Sequence, residues 1–346
     1  MKAMALTGKG KIQLVEVPIP QIIDDKEVLI KMKAVGICGS DIHYYTNGRI
    51  GDQVVTYPFI VGHECAGIIE SIGKAVTSVK PGDRIAIEPA MPCLKCSQCL
   101  AGRHNTCLEL KFLGCPGQAE GCLKEYMVMP ESSCFPISDS ISFEEAAISE
   151  PLAIGVYATK QAGINKNDRI GIFGFGPIGM STMIAAKARG TEKIYITDKI
   201  DERLLVGKKV GAIYTGNPDK TDIESDIFQK EPLGLDIVFE CCGKQEALSN
   251  AFQLLKPGGK LVLIGIPEFE FWNIPVDLAR RKEITIINIR RQNGSLAETL
   301  EGLKNGKYDV SLMATHHFKF HETPKAFEMV KGYKDGVMKA IIEFDL

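Results

Sequence analysis

Cys93, Cys96, Cys99 and Cys107 follow the pattern C-x2-C-x2-C-x7-C. Thiolates are soft donors, and four of them in one short stretch make a closed tetrahedral zinc site. Four unrelated free cysteines would not repeat a two-residue gap. With all four positions filled by protein, such a site ties a lobe of chain together and does no chemistry. Other donors stand where strands end: Cys38-Gly39-Ser40-Asp41-Ile42-His43, Gly62-His63-Glu64 and Ser149-Glu150-Pro151. Cys, His and carboxylate are the set a catalytic zinc uses when one position stays open for water or substrate. Taken singly, each stretch reads equally well as packed core or surface charge. Their occurrence together, beside a closed cysteine lobe and a nucleotide turn, gives them weight.

That turn is Gly174-Phe175-Gly176-Pro177-Ile178-Gly179. It follows the apolar run Arg169–Phe173 and opens a helix-like stretch, MSTMIAAKARG. A second strand, KIYIT, then ends at Asp198, 22 positions after Gly176. In this context G-x-G-x-x-G is a dinucleotide fingerprint. Gly174 allows the tight turn, Gly176 lets backbone approach a pyrophosphate, and Gly179 lets helix and strand pack closely. The helix N-terminus offers free N–H groups to the phosphates. Asp198 can accept hydrogen bonds from both ribose hydroxyls of NAD and repels the extra phosphate of NADP, so NAD is the expected cofactor. Arg203 is read as flanking the adenosine half.

These residues need two kinds of scaffold. Residues 1–150 are strand-rich, with short β-branched segments such as EVLIKMKAVGIC, AGIIESIG and DRIAIEP separated by Gly and Pro-Gly. The zinc lobe, about 92–109, interrupts them. From 151 to 290 strands alternate with helices, which predicts a Rossmann doubly wound parallel sheet. There EALSNAFQLLKPGG reads as a helix with a glycine stop and KLVLIGI as the strand after it. Residues 291–346, with the strand MKAIIEF and the amphipathic helix TPKAFEMVKGY, are expected to return to the first domain. The fold class is therefore α/β, a β-rich catalytic domain plus a Rossmann domain.

Composition is ordinary for a soluble globular protein. The chain has 346 residues, enough for two domains with separate cores. Hydrophobic residues make up 45%, charged residues 24%, and the formal net charge is −2. No Lys/Arg block stands out, which argues against nucleic acid or an anionic membrane as partner. No signal peptide or spanning helix is read. Eleven cysteines without an export signal point to reduced thiols in the cytoplasm.

The chain resembles the zinc-dependent medium-chain alcohol dehydrogenases along essentially its whole length. The signature G-H-E-x2-G-x5-G-x2-V is present as Gly62-His63-Glu64, Gly67, Gly73 and Val76. Within the family it looks most like the sorbitol (polyol, L-iditol 2-dehydrogenase-like) enzymes, through CGSDIHYYTNGRIG, GDRIAIEP, EPLAIGVYA and GFGPIGM. The resemblance implies a GroES-like catalytic domain and two zinc ions per chain. Cys38, His63 and Glu64 would hold the catalytic zinc, with Glu150 bound directly or through water. The choice between Glu64 and Glu150 stays open. Ser40 would take the substrate proton and His43 pass it on. Tyr44, Glu150 and Arg290 would meet the polyol. Gly174, Gly176, Pro177, Ile178, Gly179, Asp198, Arg203, Ile264, Gly265, Ile266, Asn288, Ile289 and Arg290 would line the cofactor. The implied reaction oxidises a secondary alcohol of a polyol to a ketose with NAD, in a homodimer or homotetramer.

One position departs from that pattern. Arg291 stands where such enzymes tend to carry tyrosine. The preferred reading is a guanidinium turned to solvent or to a neighbouring subunit. The alternative is substrate contact, with Arg291 reading a phosphate or carboxylate on an anionic sugar alcohol. A threonine- or butanediol-type enzyme shares the ligand pattern, and a non-enzymatic NAD- and zinc-binding protein is the competing class. His104, His316, His317 and His321 are taken as structural. Cys65, Cys115, Cys122, Cys134, Cys241 and Cys242 are taken as buried small hydrophobes.

Overall fold

The computed structural model describes residues 1–345. The chain divides into two compact units. One comprises Met1–Glu150, Leu296–Gly306 and Met313–Leu346, and the other Pro151–Ser295 and Lys307–Leu312.

The first unit is built on a seven-stranded sheet. Its central strand, Glu27–Gly36, alternates half-buried and buried residues until its last three, which are all buried. That is the period of a strand with one face on a core. Glu64–Ile72 pairs with it antiparallel, and the register sets Gly36 opposite Glu64. On its other side lie Lys339–Glu343, near the chain's far end, and Tyr126–Pro130. Val28, Ile30, Met32, Val35, Ile69, Ile85 and Ile342 form the core beneath. The strand and helix expected near the C-terminus form at Lys339–Glu343 and Thr323–Lys331.

The second unit is a six-stranded parallel sheet. Its order is Tyr214–Gly216, Ile194–Thr197, Ile170–Phe173, Leu235–Glu240, Leu255–Leu263, Thr285–Asn288. The first, second and third strands in sequence run outward from the middle, and the fourth starts again beside the first. This is the doubly wound arrangement. Ile170–Phe173 and Ile194–Thr197 are buried throughout, as strands covered on both faces must be.

Two local expectations change. The Gln245–Leu254 helix stops before KPGG, which instead lies within the strand Leu255–Leu263. Leu254 and Leu255 are both buried, so the chain turns on packed leucines before the glycines are reached. The helix before the nucleotide unit begins at Phe143 and passes through Pro151 to Ala162. Its neighbours Ala147, Ile148, Leu152 and Ala153 are all buried, and that packing offsets the hydrogen bond a proline cannot donate. No helix among the described residues is long and apolar enough to cross a membrane.

Candidate active site

Cys38, His63 and Glu64 come together, with one ligand atom of each within 4.8 Å of the others. Cys38 stands just before the Gly39–Asn47 helix, and Glu64 begins the strand opposite Gly36. A Cβ at Gly36 would collide with the Glu64 carboxylate. Glycine at that position therefore makes room for the ligand.

Asp41 locks the two ligand-bearing loops. It is buried, its Oδ2 accepts from Cys38 N at 3.0 Å and its Oδ1 accepts from Gly62 N at 3.1 Å. The same Oδ1 is 3.7 Å from His63 Nδ1. An imidazole oriented through Nδ1 by a carboxylate presents Nε2 to a metal. Burial disfavours charge on His63, yet the facing Cys38 and Asp41 outweigh it and hold its pKa well above the usual value. Zinc fits this thiol, imidazole and carboxylate donor set.

Lys339 is the other residue whose part the sequence did not reveal. It is fully buried and donates to Glu64 Oε2 at 2.5 Å, Oε1 at 2.7 Å and Ile37 O at 3.1 Å. Burial alone would strip its proton; Glu64 first, then Cys38 and Glu150, keep its pKa above that of an ordinary lysine. Glu64 is thus a neutralised carboxylate with its orientation fixed. Glu150 is buried on the Phe143–Ala162 helix, outside the close trio. Ser40 and His43 are half-buried on the Gly39–Asn47 helix, three residues apart and so on one face. Tyr44 is buried, and its hydroxyl donates to Gln53 Oε1 at 2.8 Å.

The four lobe cysteines also converge within 4.8 Å. Cys93 N donates to Cys107 Sγ at 3.2 Å and Leu108 N to Cys96 Sγ at 3.5 Å. The N–H of Leu108 is the main reason the Cys96 thiol is brought down to about 6. The Cys96 thiol, held as an acceptor for a backbone N–H, is favoured as a thiolate ligand, whereas burial pushes the Cys99 thiol up to about 12. We expect Cys96→Ser to lower the unfolding midpoint and the zinc content by one ion per chain. A variant with unchanged stability, zinc content and oligomeric state would contradict a structural metal here.

In the second unit, the residues expected to meet a cofactor, apart from Arg203 on the Asp201–Val210 helix, lie at the carboxyl ends of the parallel strands. Gly174–Gly179 follows Ile170–Phe173, Asp198 follows Ile194–Thr197, Ile264–Ile266 follows Leu255–Leu263, and Asn288–Arg290 closes the edge strand. This is where open α/β sheets bind ligands. Gly174 has φ +89°, and a Cβ on Gly179 would overlap the Gly174 carbonyl. Asp198 accepts from Phe175 N at 2.6 Å and Ile200 N at 2.9 Å, which ties the glycine turn to the second strand. Arg203 is buried, with its guanidinium 3.2 Å from where a Gly176 Cβ would sit. It therefore stands beside the second glycine of the turn. Cys242 is exposed and Cys241 half-buried, against expectation, because both follow the last residue of the Leu235–Glu240 strand, where the chain leaves the sheet.

Comparison with known proteins decides the family. The family model described as "Alcohol dehydrogenase GroES-like domain" matches residues 24–139, and that described as "Zinc-binding dehydrogenase" matches residues 177–305. The chain belongs to the zinc-binding alcohol dehydrogenases. It is 38% identical to a sorbitol dehydrogenase of Bacillus subtilis over 343 residues, covering 99% of this chain and 97% of that one. It is also 38% identical to an L-idonate 5-dehydrogenase of Vitis vinifera, over 87% of this chain and 84% of the relative. An alcohol dehydrogenase structure from Escherichia coli CFT073, solved with NADH, superposes with a TM-score of 0.91 at 27% identity and 99% coverage of each chain. Both units of this zinc-binding dehydrogenase therefore have the fold their motifs predict.

Proposed function

We propose that this dehydrogenase oxidises a secondary alcohol of a polyol to a ketose, with NAD as hydride acceptor. The observation that carries this reading is the convergent Cys38–His63–Glu64 trio, half-buried at the thiol and buried at the other two, a thiol, imidazole and carboxylate set with Glu150 nearby. Zinc held there would supply Lewis acidity to the substrate oxygen, and NAD would take the hydride.

The chain's own residues do the rest. Asp41 ties the loops that carry Cys38 and His63 together and sets a carboxylate facing His63 Nδ1. Lys339 offsets the charge of Glu64, so the ligand set does not carry two uncompensated anions. Ser40 accepts the substrate hydroxyl proton, and His43, on the same helix face, relays it outward. The carboxylates at Glu64 and Glu150 make this centre more polar than one with a second thiolate, which suits a substrate with adjacent hydroxyls. Arg290 and Tyr44 orient those hydroxyls. The working form is a cytoplasmic homo-oligomer, a dimer or tetramer.

The test is formation of NADH, followed by absorbance, with sorbitol, xylitol and a butanediol, before and after chelation. Turnover of the polyols that chelation abolishes is expected. A purified protein with two zinc ions per chain that reduces NAD with none of these alcohols would refute the proposal.

A second substrate reading rests on Arg291. It is half-buried and held at φ +54°, in the left-handed region that non-glycine residues rarely adopt. Strain of that kind is retained where a side chain is being aimed. If it is aimed at substrate, an aldonate or hexitol phosphate should outpace sorbitol, and Arg291→Ala should remove the advantage. Equal or better turnover of uncharged polyols rules this reading out.

A further inference from the structure

Glu240 is the last residue of the Leu235–Glu240 strand and is completely buried. It pairs with Phe173 on one side and Leu263 on the other. The strand order reverses between this strand and Ile170–Phe173, and dinucleotides bind across that reversal. A charged side chain buried at this place must be compensated.

The compensation is backbone. Glu240 Oε1 accepts from Gly243 N at 2.7 Å, Cys242 N at 2.9 Å and Lys244 N at 3.4 Å, and from Cys242 Sγ at 3.0 Å. The Glu240 main-chain oxygen accepts from Ile264 N at 2.9 Å and Gly265 N at 3.0 Å. One residue therefore shapes two turns, 241–244 and 264–266. The turns also interlock sterically. A Cβ on Gly265 would lie 2.5 Å from Glu240 Oε2, and a Cβ on Gly174 would lie 2.6 Å from Cys242 Cβ. The glycine fingerprint, the 241–244 turn and the 264–266 turn thus form one continuous floor.

Glu240 Oε2 is buried with no hydrogen-bond donor among the described residues. A bare buried carboxylate oxygen costs free energy that stability alone does not recover. A group retained at a cost, holding backbone at the ligand-binding edge, is shaped for something other than stability.

We propose that Glu240 is a positioning residue for the dinucleotide: its carboxylate pre-forms the 241–244 turn, against which Gly265 packs, before the cofactor arrives. This rests on the reading of the protein as an NAD enzyme. The carboxylate acts through reach and acceptor geometry. Aspartate keeps the charge and loses the reach, whereas glutamine keeps the reach and one acceptor.

The test is NADH affinity of the zinc-loaded protein, measured by nicotinamide fluorescence. Glu240→Asp should raise the NADH Kd about tenfold, on the scale of one lost hydrogen bond. It should raise KM for NAD while kcat at saturating NAD does not fall. Glu240→Gln should stay within about threefold of wild type. Should Glu240→Asp not fold, amide exchange in the wild type decides: the Cys242, Gly243 and Lys244 amides should be protected before NADH is added. Equal NADH affinity in wild type and Glu240→Asp, a Gln variant as weak as the Asp variant, or free exchange of those amides until cofactor binds would each overturn the proposal. A wild-type protein that binds no NADH would overturn the functional reading as well.

Discussion

Lys339→Met should cost about 3–5 kcal/mol of unfolding free energy, the loss expected when one partner of a buried ion pair is removed. Whole domains are stable by only about 5–15 kcal/mol, so this variant should sit near the edge of folding at growth temperature. The reason is the carboxylate left behind. Glu64 is buried, and Lys339 is the cation that meets both of its oxygens. Removing Glu64 as well should return part of the loss. The double-mutant cycle with Glu64→Gln, followed by urea denaturation, should therefore show strong favourable coupling between the two sites. A Lys339→Met protein within about 1 kcal/mol of wild type would show that the pair is not what stabilises this corner. The pair's pH dependence has a definite sign. The pKa of Lys339 is raised in the folded protein, so its contribution is complete below the ordinary lysine value and is lost only as the pH rises through the higher folded value.

Cys38→Ser should abolish polyol oxidation, by on the order of 10³-fold or more, while the protein stays folded. The loss follows from removing a thiolate from the metal, since a Lewis acid is worth several kcal/mol and each 1.4 kcal/mol is about tenfold in rate. The fold should survive because Cys38 is the N-cap of the Gly39–Asn47 helix, and serine is among the best N-cap residues. Asp41 would still accept the N–H of residue 38. The measurement is zinc per chain alongside circular dichroism and turnover. Zinc should fall from two ions to one with the spectrum unchanged. More than a tenth of wild-type activity in the variant would remove Cys38 from the metal. The contrast with Cys96→Ser, which should damage stability first, separates the two zinc sites by experiment.

The parts of the site that were legible in the sequence are those fixed by local spacing. Cys93 to Cys107 converge because short gaps leave the chain few ways to arrange four thiols. Gly174 to Gly179 form the expected turn because a left-handed φ at the first glycine and backbone contact at the last are local demands. The alternation of strands and helices after 151 is likewise written in short apolar runs. Other local readings failed where packing overrode composition. The KPGG segment lies in a strand rather than ending a helix, and Pro151 sits inside one.

Asp41, Lys339 and Glu240 carry no such signature. Asp41 looks like an ordinary first-turn acid, yet it joins two loops 21 residues apart. Lys339 reads as one residue of MKAIIEF, a strand whose other members are apolar apart from a glutamate, and a buried lysine is rare unless paired. Glu240 ends an apolar strand, where an acid is commonplace.

The sequence by itself determined the donor types, the closed cysteine lobe, the nucleotide turn and the family, because each depends on residues close together in the chain. Only the tertiary structure decided how the candidate ligands are paired and aimed. Glu64 is neutralised by a lysine 275 residues away, brought beside it by antiparallel pairing of the last strand with Glu27–Gly36. An ion pair is set by distance in space, and no spacing rule along the chain encodes it.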